Sequence, residues 1–127
     1  MNARDTMLIL FTAAVFGSLD GAIAQEATEQ FIPIGESPGV SGEESYLGEC
    51  VAYDAEDRLL EMHGSTGTRS IRITENTRIW LDRSRIEESN LVGDPGDLIP
   101  GRRIEVRYAD PDSQEVADWV KVQIVDE

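Results

Sequence analysis

The sequence predicts an all-β domain, a small antiparallel barrel or sandwich of about six strands, and three observations lead to it. From Tyr46 onward, β-branched and apolar residues alternate with polar ones over short segments. Clusters of turn-forming residues separate these segments at regular intervals. No segment carries apolar residues at the spacing of a long amphipathic helix. Closure into a barrel removes the exposed edges that an open sheet of this size leaves unpaired.

The first four strands follow from this alternation. They are predicted at residues 46–53, 58–63, 68–74 and 77–81. Gly48 interrupts the first strand and suggests a bulge there. In the third strand Ile71 and Ile73 share the inward face, and in the fourth Ile79 and Leu81 do so. The polar clusters at 54–57 and 64–67 are predicted as turns.

A long connection, residues 82–101, precedes the last two strands. Its first part, 82–88, is predicted as one or two helical turns capped by Asp82 or Ser84, and 90–96 as loop. Pro100 and Gly101 predict a type II turn, because proline presets φ and glycine accepts the positive φ that follows. The final strands are expected at 102–108 and 115–125.

The turn and strand around Gly101 resemble a known arrangement. Leu98, Gly101, Ile104 and Val106 match the phrase Leu-x-x-Gly-x-x-Val-x-Val of small exported OB-like barrels, with isoleucine in place of one valine. The resemblance covers residues 45–125 and implies an OB-like barrel. A signature made of a turn and a strand implies a fold and hardly any function.

A more specific resemblance is to the CusF-like periplasmic copper chaperones, which share this barrel. In that family a histidine, a tryptophan and a Met-x-Met pair hold Cu(I). Met62, His63 and Trp80 are the counterparts here, and the Met-x-Met pair is absent. Because half of the expected soft ligands are missing, no copper ligand is carried over from that family.

The chain divides into three parts: a signal peptide at 1–24, a flexible N-terminal arm at 25–44, and the OB-like barrel domain at 45–127. Residues 7–16 form an apolar stretch too short to span a bilayer, and Ala22 and Ala24 form a cleavage site before Gln25. We therefore expect an exported protein, periplasmic or extracellular, with no stable membrane anchor after cleavage.

The net charge of the chain excludes some classes of binding partner. With 11 Lys and Arg against 25 Asp and Glu, the formal net charge is −14. Such a surface repels the phosphates of nucleic acid and the head groups of anionic lipid. We expect no cofactor, and a protein, peptide or glycan partner in the cell envelope.

The sequence contains few residues suited to catalysis or metal binding. The chain has one histidine and one cysteine, and no Gly-x-Ser-x-Gly motif, so we expect no enzyme. The alternative function, periplasmic metal binding, would use Cys50, Met62 and His63 if the first two strands pair. Burial of the soft side chains in the barrel is the preferred interpretation.

Two surface sites are predicted for a non-enzymatic binding module. Trp119 lies on the opposite parity from Val120 and Val122, so it either faces outward as a recognition patch, or it covers the barrel end or is capped by residues 25–40. The patch would include the neighbouring arginines and a tyrosine: Arg102, Arg103, Arg107 and Tyr108.

The second site is the apolar segment of the arm, Phe31, Ile32 and Ile34. This segment either anchors the arm on the edge of the domain or adds to the sheet of a partner. In the second case the protein is a homo-oligomer or a subunit of an envelope assembly.

Overall fold

The structure, a computed structural model, describes residues 28–126, so the predicted signal peptide lies outside the described residues. Residues 28–31 form a helical turn, and two short 3₁₀ turns occupy Ser84–Ile86 and Pro95–Asp97. No helix in the described range is long and apolar enough to cross a membrane. The strands are β1 Ser45–Asp54, β2 Leu59–Gly64, β3 Gly67–Arg72, β4 Arg78–Asp82, β5 Leu91–Val92, β6 Arg103–Tyr108 and β7 Ala117–Gln123. The all-β prediction is confirmed.

All seven strands belong to one sheet, in the order β3-β2-β1-β6-β7-β4-β5. Every neighbouring pair is antiparallel except β4 and β7, which run parallel. A bridge between Arg72 and Val116, with the Arg72 N–H donating to the Glu115 carbonyl at 2.8 Å, brings the end of β3 to the start of β7. This contact closes the barrel. The parallel pair was absent from the prediction, because side-chain alternation does not reveal which strand is the neighbour.

The core lies inside the barrel and consists of inward side chains from six of the strands and the segments beside them. Its fully buried members include Leu60, Met62, Ile71, Ile104, Val106, Val120 and Val122. Cys50 lies opposite Met62 in the β1–β2 ladder and joins the same cluster. Alternation in the sequence therefore predicted the inward faces of these strands.

Two local predictions needed correction. The predicted bulge at Gly48 is wrong, because the register shift falls between Cys50 and Ala52. Gly48 is required for close approach: a Cβ there would lie 2.2 Å from the carbonyl oxygen of His63. The predicted loop at 90–96 contains β5, a strand of two residues paired with β4.

The turn at Gly101 agrees with its prediction. Gly101 has φ of +93°, and the Arg102 N–H donates to the Ile99 carbonyl at 3.2 Å. These are the features of a type II turn with Pro100 and Gly101 at its centre. The predicted helical segment at 82–88 shortens to the 3₁₀ turn, where the Asp82 carboxylate accepts from the Ser84 N–H at 3.0 Å.

Candidate functional site

Residues 28–44, called the N-terminal strap below, bind to the outer face of the sheet. The Ile34 N–H donates to the Asp82 carboxylate on β4, and the Gly35 N–H donates to the Glu105 carboxylate on β6, both at 2.9 Å. Ile34 is itself buried. The strap thus matches the alternative in which this segment anchors on the domain edge.

On the face of the sheet that the strap binds, four side chains form one row across four strands. Glu105 on β6 lies opposite Lys121 on β7, Lys121 lies opposite Trp80 on β4, and Trp80 lies opposite Val92 on β5. Residues directly opposite in a ladder share one face of the sheet. Glu105 and Lys121 are both 0% exposed. The row therefore contains two charged groups that the strap separates from water.

Lys121 uses its whole hydrogen-bonding capacity on the strap. Its Nζ donates to the Glu29 carboxylate at 2.8 Å, to the Ile32 carbonyl at 2.8 Å and to the Ser37 hydroxyl at 3.2 Å. An ammonium group has three hydrogens, so none is left over. The same nitrogen lies 4.7 Å from the ring centroid of Trp119, a cation–π contact.

Glu105 is held by neutral donors. Its Oε1 accepts from the Gly35 N–H, and its Oε2 accepts from the hydroxyls of Ser41 at 2.7 Å and Ser45 at 2.6 Å. No salt bridge to Glu105 forms within residues 28–126. The carboxylate therefore depends on the strap and the first residue of β1 for its stabilisation.

The strap also reaches the residue that precedes β5. The buried Asn90 side chain donates to the Gln30 carbonyl at 2.9 Å and accepts from the Arg83 N–H at 2.7 Å. The start of β5 is thus hydrogen-bonded both to the strap and to the residue after β4.

The predicted patch around Trp119 is not exposed. Trp119 is 2% exposed, with its ring centroid 5.6 Å from that of Trp80, and the strap covers this face. Tyr108 is also buried, and its hydroxyl accepts from Arg69 at 2.7 Å. Of the two alternatives for Trp119, the structure has the covered one.

The three arginines of that patch lie in different settings. Arg102 donates to the Asp97 carbonyl at 3.0 Å. Arg107 pairs with Glu44 at 2.7 Å and with Asp118 at 3.6 Å. Arg103 is the exposed member of the set. Ligand binding by these residues with Trp119 and Tyr108 stays a prediction, and the burial of both rings removes the aromatic surface on which it was based.

The three soft side chains do not converge. Cys50 and Met62 face each other in the core, at 2% and 0% exposure, whereas His63 lies on the opposite face with its Nδ1 3.1 Å from the Thr68 hydroxyl. Burial raises the pKa of the Cys50 thiol. Within the described range, no group of three His, Cys, Asp or Glu side chains is arranged to hold a metal ion.

The apolar segment of the strap splits between inside and outside. Ile34 is buried, Ile32 is half-buried, and Phe31 is 55% exposed. The main-chain atoms of this segment contact Lys121 and Asp82. Phe31 therefore remains the one member of the three available to a partner.

The last strand of the sheet, β5, leaves an open edge that the sequence analysis missed. Leu81 lies opposite Leu91, and the Gly93 N–H donates to the Ile79 carbonyl at 2.8 Å. Because hydrogen-bonded and non-hydrogen-bonded pairs alternate, the Trp80–Val92 pair between them is non-hydrogen-bonded. The N–H and C=O of Val92 therefore point away from β4. In the part of the chain that the structure describes, neither group has a partner.

Apolar surface lies beside this edge. Val92 is 71% exposed and Leu91 is 45% exposed. A groove of about 440 Å³ runs next to them, and its lining includes the apolar side chains Ile79, Trp80, Val92 and Pro95, the acidic side chains Glu75 and Asp94 and the basic side chain Arg78. The adjacent Leu91 and Val92 are the sequence signal for this edge, but a run of two apolar residues inside a turn-rich segment is too short to predict a strand.

Comparison with known proteins finds relatives in solved structures alone. No family model matches the chain, and no curated protein matches it. A Cu(II) structure of a CusF variant from Escherichia coli is 15% identical, with a TM-score of 0.42, covering 61% of this chain and 88% of that chain. A structure of Ag(I)-bound CusF is 15% identical, with a TM-score of 0.41, covering 61% and 93%. The chain is thus distantly similar to CusF, and the copper and silver belong to CusF.

Proposed function

We propose that this protein is a non-enzymatic binding module that takes up an extended segment of a partner protein at the open edge of β5. One observation carries the proposal: within residues 28–126 the N–H and C=O of Val92 have no partner, and they lie beside a groove with apolar lining. An extended peptide that adds to such an edge gains main-chain hydrogen bonds, and its alternate side chains enter the neighbouring groove.

The partner segment is cationic and alternates polar with apolar residues. The net charge of −14 favours positive charge next to β5, and in the groove the acidic side chains Glu75 and Asp94 outnumber the basic side chain of Arg78. The same charge disfavours a second copy of this chain as the occupant, since two such surfaces repel each other. Alternation follows from the strand geometry, because only every second side chain reaches the groove.

The non-enzymatic part of the proposal rests on His63, the single histidine of the chain. It lies exposed beside the Thr68 hydroxyl, and within residues 28–126 no carboxylate accepts a hydrogen bond from its ring. A catalytic histidine base is normally oriented by such a group. The metal-binding alternative would require His63 to reach the face of the sheet that holds Cys50 and Met62.

Export belongs to the same proposal. We expect the mature protein to begin at Gln25, after removal of residues 1–24, and to meet its partner in the cell envelope. Mass spectrometry of protein from the native envelope fraction should find Gln25 or its pyroglutamate form at the N-terminus. An intact Met1 in the membrane pellet would show that the signal peptide is not removed.

The binding test uses a soluble peptide of about eight residues that alternates lysine with valine, the length of an ordinary strand. Titration calorimetry should detect binding to the full chain. Val92→Pro should weaken it at least about tenfold, because proline lacks the N–H that the peptide pairs with. Val125→Pro is the matched control, since Val125 is also exposed but lies outside every strand. Equal affinity for the Val92→Pro protein, or for a peptide with glutamate in place of lysine, would overturn the proposal.

A further inference from the structure

We propose that the N-terminal strap controls the open edge of β5, so that partner binding depends on contacts made by residues 28–31. For its binding readout the inference rests on the proposed function. The structural part stands on its own, because it concerns what holds β5 in place. The site that the strap controls is the one at Val92, and the residue through which it acts is Asn90.

β5 needs support from outside its own ladder. It has two residues, pairs with β4 alone, and is exposed on both of its side chains. A strand this short gains little stability from pairing. The Gly93 N–H bond to the Ile79 carbonyl holds its far end. Its near end is held by the side chain of Asn90.

Asn90 joins three segments with one side chain. It is 6% exposed, its Oδ1 accepts from the Arg83 N–H after β4, and its Nδ2 donates to the Gln30 carbonyl in the strap. The carboxamide is thus satisfied at both ends, as a buried polar group requires. Because Leu91 follows directly, any movement of the Gln30 carbonyl is transmitted to the first residue of β5. Asn90 is a positioning residue for the edge.

The position of Gln30 depends in turn on Glu29. The Glu29 carboxylate accepts from Lys121 Nζ at 2.8 Å and from the Ser37 hydroxyl. Lys121 is fully buried in β7, which lies between β6 and β4 in the sheet. The contacts therefore run without a gap from a central strand, through Glu29 and its neighbour Gln30, to Asn90 and the edge. Loss of the ion pair should loosen β5, although Glu29 touches no residue of that strand.

The first test measures amide hydrogen exchange in the full chain and needs no ligand. In Glu29→Ala the Gly93 amide should exchange about tenfold faster or more, because a charge-assisted bond that supports β5 is gone. Glu43→Ala is the matched control: it removes the same charge from an exposed strap residue whose side chain makes no described contact. The Cys50 amide, bonded to the Arg102 carbonyl at 2.8 Å, reports any loss of global stability that follows from leaving the Lys121 charge unpaired, so the faster exchange at Gly93 is measured relative to it.

The second test is Asn90→Asp, which keeps the acceptor for the Arg83 N–H and replaces the donor to Gln30 with a carboxylate oxygen. The Gly93 amide should again exchange faster. The lysine–valine peptide should bind several-fold more weakly, although the added negative charge alone would strengthen its binding. Weaker binding of the peptide would therefore show that β5 has lost its position.

The outcomes separate the two proposals. Unchanged exchange at Gly93 in both Glu29→Ala and Asn90→Asp overturns the role of the strap, whatever the peptide does. Faster exchange with unchanged peptide affinity also overturns control of binding by the strap. If the unaltered protein does not bind the peptide, the proposed function fails, while faster exchange still supports the hold of the strap on β5.

Discussion

Glu105 is a buried carboxylate whose three donors come from the strap and the start of β1, and its replacement makes a sharp prediction. In Glu105→Gln, the amide oxygen keeps the Gly35 N–H bond. The amide nitrogen then donates to the hydroxyls of Ser41 and Ser45, each of which already accepts one main-chain N–H, from Ser37 and Gly42, and has a second lone pair to offer. The substitution also removes a buried charge that has no salt bridge within the described residues. We expect the free energy of unfolding to change by about 1 kcal/mol or less, in either direction.

Glu105→Leu has nearly the same size and no polar atoms. It removes the carboxylate that accepts from the Gly35 N–H, and a hydrogen bond to a charged group contributes about 1.5–3 kcal/mol. Ser45 keeps the Val40 carbonyl at 3.2 Å as an acceptor, so its hydroxyl loses less. Ser41 loses its bond to the carboxylate as well. Together these losses predict a destabilisation of about 2–4 kcal/mol, a large part of a small domain's stability.

Urea denaturation followed by tryptophan fluorescence measures both variants, because Trp80 and Trp119 are buried in the native protein and report the same face. The comparison asks whether the carboxylate is needed for its charge or for its hydrogen bonds. If Glu105→Gln destabilises as much as Glu105→Leu, the charge itself matters, and the account of neutral donors around Glu105 is refuted.

Three further predictions concern the barrel. Gly101→Val should lower the free energy of unfolding by about 1–3 kcal/mol, because the positive φ at this position is strained for a residue with a Cβ. Gly101→Asn should lower it by clearly less, because asparagine adopts a positive φ more readily and the added Cβ meets no atom within 4 Å. Equal midpoints in urea for Gly101→Val and the parent protein would contradict this prediction. Because burial raises the pKa of the Cys50 thiol, this thiol ionises at lower pH in the unfolded chain than in the folded protein, and stability should fall as the pH rises above about 8.5. Cys50→Ala should remove this dependence of the melting temperature on pH. Met62→Ala should cost about 2–5 kcal/mol, and His63→Ala about 0.5 kcal/mol or less; similar losses in chemical denaturation would mean that the two residues do not lie on opposite faces.

Much of the barrel could be predicted because its strands and turns depend on residues that are neighbours in the sequence. Strand boundaries follow from alternation, and the predicted and observed strands around Ile71, Ile104 and Val120 differ at their ends by at most two residues. The turn at Gly101 follows from the backbone preferences of two adjacent residues. Each of these features depends on a few neighbouring side chains, which the sequence states directly.

The site was not predictable in the same way. Lys121 and Glu105 occupy the polar positions of their strands, where alternation predicts solvent, yet both are fully buried. Their cover is a strap of low apolar content that is bound through main-chain groups and hydroxyls, so hydropathy carries no signal for it. Alternation does not predict the burial of Trp119 for the same reason. β5 is shorter than any pattern that requires alternation can detect.

The parallel pairing of β4 with β7 has a consequence for how the chain acquires its fold. β4 lies opposite residues about 40 positions later in the chain, as in the Ile79–Val120 pair. The strap can form its ion pair only with Lys121, which lies 92 positions after Glu29. The β1–β2–β3 meander, the β4–β5 pair and the β6–β7 hairpin are each complete within a short stretch of sequence, whereas the β1–β6 and β4–β7 pairs that join them are not. Because distant contacts must offset the entropy of closing long loops, we expect slow folding that ends only when the last strand is available. A chain that leaves the ribosome N-terminus first would therefore stay open until synthesis is nearly finished.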